Sequence, residues 1–185
     1  MDLEDSKVRP FLWGIFASEI SYKEKEQQAM VIQSKIDAGG ADICPFCGQV
    51  IATSASMVSQ KISIGQETSK VECDHAAALQ VAQDNLVKYQ GSMDSDWNVM
   101  VAWINQVKIL GVDFFNDQSV TDFRQKVLKT LWEQDEERRV AIYDRIQEIS
   151  SEQLNSANSE YQDVLTHQQI ITDLMAGDCI WWGVR

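Results

Sequence analysis

Along most of this chain the apolar residues recur three and four positions apart, the period of one face of an α-helix. Pro10 is expected to stop any early helix, and the apolar-aromatic run Phe11–Phe16 follows it. Ser21 and Glu24 then form a Ser-x-x-Glu capping box that opens a helix of about four turns, closed by Gly39-Gly40. The apolar face of that helix is thin (Tyr22, Ala29, Met30, Ile32 and Ile36), which suits the surface of a bundle. Between Gln49 and Cys73 the period drops to two: Val50 and Ala52, Ile62 and Ile64, Val71 and Cys73 alternate among serines, threonines and a glycine. That pattern predicts two or three short strands.

The helical period then returns. Leu79, Ala82, Leu86 and Tyr89 make one stripe, stopped by Gly91. Trp97, Met100, Val101, Ile104 and Val107 make another, ended at Gly111. Ser119 is expected to cap a third, with Val120, Phe123, Val127 and Leu131 on its face. After the polar insert Glu133–Arg139 the stripe resumes at Ile142, Ile146 and Ile149. Either one long helix crosses a solvent-exposed stretch at the insert, or two helices meet there. Asn158 or Ser159 is expected to cap the last helix, which carries Tyr161, Val164, Leu165, Ile171, Leu174 and Met175 and ends at Gly177. The expected fold is mainly α: a helical domain of five or six helices with a small β-hairpin module inserted after the first. Residues 1–185 read as a single domain, with the module at 43–89 inside it.

Composition narrows the classes of function. The 185 residues include six tryptophans and are 44% apolar, with only two prolines and nine glycines, so a disordered chain is excluded. There are 28 acidic against 16 basic residues, a net charge of −12. Such a field repels phosphate backbones and argues against direct nucleic-acid binding. It favours a basic protein partner. Phe11–Phe16 is too short to span a membrane, and Asp2, Glu4 and Asp5 are unlike a secretion signal. The expected setting is the reducing cytoplasm, away from membranes.

In that setting the cysteine spacing speaks for metal rather than disulfides. Cys44-Pro45-Phe46-Cys47-Gly48 is a tight Cys-x2-Cys turn ending in glycine, and Cys73-Asp74-His75 supplies a second pair of candidate ligands. A glycine after the second cysteine lets backbone N–H groups turn back toward both sulfurs. Four protein ligands, Cys44, Cys47, Cys73 and His75, would close a zinc coordination shell, and a closed shell is structural rather than catalytic. The knuckle, hairpin and second pair at the mouth of a helix together resemble a treble-clef or zinc-ribbon arrangement over about residues 43–89. Cys-x-His stands where Cys-x2-Cys is more usual, and Cys179 is an alternative fourth ligand to His75. The resemblance implies a structural Zn2+ and fixes no activity.

Other chemistry is sparse. Cys179 with His167 as its base is conceivable for an enzyme, but no nucleophile motif flanks either residue. Neither a glycine-rich phosphate loop, nor Gly-x-Ser-x-Gly, nor a metalloprotease helix motif occurs, so the chain reads as a non-enzyme. Glu133–Asp163 holds nine acids and three bases, expected to form a solvated helix face with Asp135 and Arg139 pairing at i, i+4. Regularly spaced carboxylates of this kind can also occupy a basic phosphate-binding cleft. Trp181 and Trp182 are expected to dock onto the helical core and pin the tail. The leading expectation is a zinc-stabilised acidic protein that binds and blocks a protein partner, of the inhibitor or immunity type. The alternative is a zinc-module adaptor in a transcription or nucleic-acid-associated complex.

Overall fold

The computed structural model describes residue 3 and residues 7–39, 44–48, 74–177 and 180–181. Among them stand four long helices: α1 (Arg9–Ala38), α2 (His75–Ile109), α3 (Gln118–Glu148) and α4 (Ser151–Met175). Among the described residues the five or six helices expected from sequence become four, because Gly91 does not stop a helix and the insert Glu133–Arg139 does not divide one. Pro10 sits in the first turn of α1, where a missing N–H costs nothing. Gly91 lies inside α2, so two predicted stripes belong to one 35-residue helix. The insert Glu133–Arg139 lies inside α3. The strands expected between Gln49 and Cys73 lie outside the described residues. None of the described helices is long and apolar enough to cross a membrane.

Helix starts also move. Asp117, rather than Ser119, caps α3, and its carboxylate accepts the Ser119 N–H at 2.9 Å. The last helix begins at Ser151 after Ser150, well before Asn158. Two extended residues, Ile149 and Ser150, separate α3 from α4. The helices run antiparallel from that joint: Arg138 meets Glu160, Asp135 meets His167, Trp132 meets Gln168 and Gln125 meets Met175.

The chain divides into two compact units, one of Met1–Glu24 with Met93–Arg185, the other Lys25–Ser92. The module expected at residues 43–89 falls in the second. In the first, α1 buries Leu12, Ile15, Phe16, Glu19 and Ile20, a spacing that keeps all five on one face. Leu12, Ile15 and Phe16 join Ile104 and Val107 of α2, Val112 and Phe114 of the following connection, and Val120, Phe123 and Val127 of α3. A second cluster gathers Ile20, Leu128, Ile170, Ile171 and Leu174. At Gly14 of α1 a Cβ would stand 1.9 Å from the Trp103 ring of α2. Only glycine leaves room there for the indole.

Candidate functional site

In the second unit the knuckle is a tight turn. Gly48 donates its N–H to the Cys44 carbonyl at 2.8 Å and takes a φ of 71°, a conformation that side chains resist. Cys44 is fully buried and Cys47 is exposed. Across from the knuckle, the Asp74 side chain accepts the Ala77 N–H at 3.0 Å and so caps α2. That cap places His75 at the first helical position. Its Nδ1 stands 3.5 Å from Cys44 Sγ, and its ring lies 6.1 Å from the Phe46 ring.

Cys44, Cys47 and His75 are therefore described, and the structure brings Cys44 and His75 into contact. Cys73 and Cys179 lie outside the described residues, as does Trp182. Among the described residues no three metal-ligating side chains converge.

The first unit carries a polar layer that the expectation of a solvated face did not anticipate. Asp135 is buried and meets His167 Nδ1, while Glu24 Oε1 lies 3.5 Å from His167 Nε2. Arg139 does not pair with Asp135. It donates through Nε to Glu136 at 2.8 Å and through Nη1 to the Tyr161 hydroxyl at 3.2 Å. Gln168 donates to Glu136 at 3.1 Å. These donors hold the Glu136 carboxyl down at about 2, with the Arg139 bond the largest cause. The reason for the correction is periodicity: Asp135 continues the stripe of Leu128, Leu131 and Trp132, so it faces α4 rather than water.

Arg138 and Arg145 also turn toward α4, both onto Glu160, whose carboxyl they hold below its ordinary value, Arg145 most strongly. From Glu133 to Glu148 the outer face of α3 carries acids. Glu133, Glu137, Asp144 and Glu148 are exposed and spaced along one side of the helix, with Val140 and Tyr143 exposed among them at 47% and 54%. Glu137, Asp144 and Glu148 make no ion pair among the described residues, and Glu133 reaches only the exposed Lys129, at 3.8 Å.

Two residues missed in the sequence make the most buried polar contact described. Glu19 of α1 and Arg124 of α3 form a two-pronged pair, Nε to Oε2 at 3.0 Å and Nη2 to Oε1 at 2.9 Å, with 0% and 4% of their side chains exposed. Arg124 Nη1 also donates to the Leu174 carbonyl at 2.9 Å, at the end of α4. Burial pushes the Glu19 carboxyl up, and the bonds and charge of Arg124 oppose that rise. Each charge interrupts an apolar stripe at a core-facing position, which is the signal that could have found both.

Comparison with known proteins adds no relative: no family model, no curated protein and no solved structure matches the chain.

Proposed function

We propose that the chain is a zinc-stabilised acidic protein that binds and blocks a basic protein partner. The observation that carries the reading is the division of charge on the α3–α4 hairpin. All three arginines between Glu133 and Asp163 are turned onto carboxylates or a tyrosine of the hairpin itself. Glu137, Asp144 and Glu148 face outward around Val140 and Tyr143. An acidic rim around an apolar and aromatic centre suits a basic protein surface, with the charges steering encounter and the tyrosine supplying contact area.

A structural Zn2+ held by Cys44, Cys47, Cys73 and His75 belongs to the same reading, in an arrangement resembling a treble clef or zinc ribbon. Zinc binds sulfur at about 2.3 Å and nitrogen at about 2.0–2.1 Å, so two tetrahedral ligands of these kinds stand about 3.6 Å apart. The 3.5 Å between Cys44 Sγ and His75 Nδ1 supports that fit, and it favours His75 over Cys179 as the fourth ligand. Such an ion contributes ~10 kcal/mol or more of apparent binding energy to folding.

Native mass spectrometry of the full chain, isolated gently from its own cells, tests both parts. The expected species carries one zinc and one stoichiometric basic protein. Cys47→Ser should lose the zinc. Reversing Glu133, Glu137, Asp144 and Glu148 to lysine should lose the partner and keep the metal. A wild-type chain without zinc, or a complex that survives the charge reversal, would overturn the corresponding part.

A further inference from the structure

One turn beyond the cluster of Ile20, Leu128, Ile170, Ile171 and Leu174, three helices each carry an ionisable side chain toward the same place. Glu24 follows Ile20 by four residues on α1, Asp135 follows Leu131 by four on α3, and His167 precedes Ile171 by four on α4. Asp135 accepts from His167 Nδ1, and Glu24 Oε1 lies 3.5 Å from His167 Nε2. All three stand on long helices, whose backbones hold side chains more firmly than loops do. About the ring the exposure is uneven. Asp135 keeps only 12% of its side chain in water, against 28% for His167 and 41% for Glu24.

An ionised carboxylate has no proton to give, so Nδ1 is the donor in the Asp135 bond and the neutral ring keeps its lone pair on Nε2. That lone pair and the Glu24 carboxylate are two electron-pair donors side by side. Their 3.5 Å separation exceeds the about 2.7–3.2 Å of a direct N–H···O bond. It is close to the about 3.4 Å between a nitrogen and an oxygen held tetrahedrally at about 2.0–2.2 Å from one ion. A carboxylate behind the ring is also what metal-ligating histidines use to fix their tautomer and raise their basicity. From this geometry we infer that Glu24 and His167 hold a divalent metal ion of the class that takes imidazole with carboxylate, such as Zn2+ or Ni2+. Asp135 is the positioning residue for the ring. No third metal-ligating side chain converges there among the described residues, so water completes the shell and the ion exchanges through the exposed side. The ion ties α1 to α4, and the site does not rest on the cysteine knuckle.

The chain has two histidines, so the imidazole nitrogen-15 spectrum of the full-length protein reports the knuckle through His75 and this site through His167. Zn2+ is titrated beyond one equivalent, with Mg2+ at the same concentrations as the control. The His167 Nε2 resonance should move saturably while Nδ1 keeps its proton. Mg2+, which prefers oxygen ligands, should leave that resonance where it is. Asp135→Asn should weaken the Zn2+ response about 10–100-fold and loosen the preference for a proton on Nδ1. Glu24→Gln removes a ligand and should weaken it at least as much. A His167 resonance that Zn2+ does not move would overturn the site, whatever His75 does. Equal Zn2+ affinity in wild type and Glu24→Gln would mean a lone surface histidine and would overturn the chelate. Unchanged affinity and tautomer in Asp135→Asn would overturn its positioning role. Should Asp135→Asn not fold, the exposed Glu24→Gln change still decides whether two helices share the ion.

Discussion

Helix α3 carries two arginine–glutamate pairs of nearly identical geometry and opposite character. Arg124 grips Glu19 with Nε and Nη2, and Arg139 grips Glu136 with the same two nitrogens. The first joins residues 105 positions apart and is shut away from water. The second spans one turn of one helix, with about a third of each side chain exposed. Their carboxyl groups move in opposite directions: burial raises Glu19, while Arg139 lowers Glu136 to about 2. A guanidinium fork therefore does not set the worth of an ion pair. What matters is how much water each partner gave up and how many elements depend on the contact. Around Glu19 and Arg124 those elements are α1, α3, the last turn of α4 and the tail.

The largest expected effect comes from breaking the buried pair from one side. Arg124→Leu leaves a carboxyl in the core without its partner, and such losses cost about 3–5 kcal/mol. At about 2–4 °C per kcal/mol for a chain of this size, the melting midpoint should fall by on the order of 10 °C. The double variant Glu19→Leu/Arg124→Leu should fall much less, because an apolar pair of similar volume removes both desolvation costs. Calorimetry on the three chains decides the matter. A double variant as unstable as the single one would mean that the pair is favourable beyond its partners' mutual need.

That asymmetry also explains what could be read beforehand. The helical class was visible from the three-and-four spacing, and so was the cysteine knuckle, because both are local in sequence. The number of helices was not, since Gly91 was expected to stop a helix and the polar run 133–139 left open whether one helix or two passed through it. Pro10 stands in a first helical turn, where proline is tolerated, and Gly91 and residues 133–139 lie inside unbroken helices. Asp135 and Arg139 satisfied the i, i+4 rule and still took other partners, because a second helix offered His167, Tyr161 and Gln168. Glu19 and Arg124 were legible only as anomalies, charges on apolar stripes, and their pairing across 105 residues is not a local property.

A middle-sized effect should follow from disturbing the seat of α1 without touching either ion pair. Gly14→Ala sets a methyl group 1.9 Å from the Trp103 ring, so the indole must swing aside. Overpacking of that kind costs about 1–3 kcal/mol, against about 0.5–1 kcal/mol gained from the better helix former. The net change should be a loss smaller than that of Arg124→Leu. The Arg139 Nε–H resonance should stay in place while that of Arg124 shifts. If both resonances move together, the two pairs are coupled and the contrast between them fails.

The smallest effect separates the pairs by pH. Glu136 has a lowered carboxyl, so its contribution is complete above the ordinary value of 4.5 and is lost as the pH falls through about 2. Glu19 has a raised carboxyl, so its ionised form costs the fold above that raised value, and acidification relieves the cost. Glu136→Gln should change the midpoint only slightly at neutral pH, as exposed pairs do. The gap between wild type and that variant should close as the pH drops from 4.5 to about 2. Against Glu19→Gln, the wild type should instead gain ground as the pH falls from neutrality toward 4.5. Two parallel melting series would expose the difference in sign. Gaps that close together on acidification would mean that both carboxylates are held chiefly by their arginines, and that burial does not divide them.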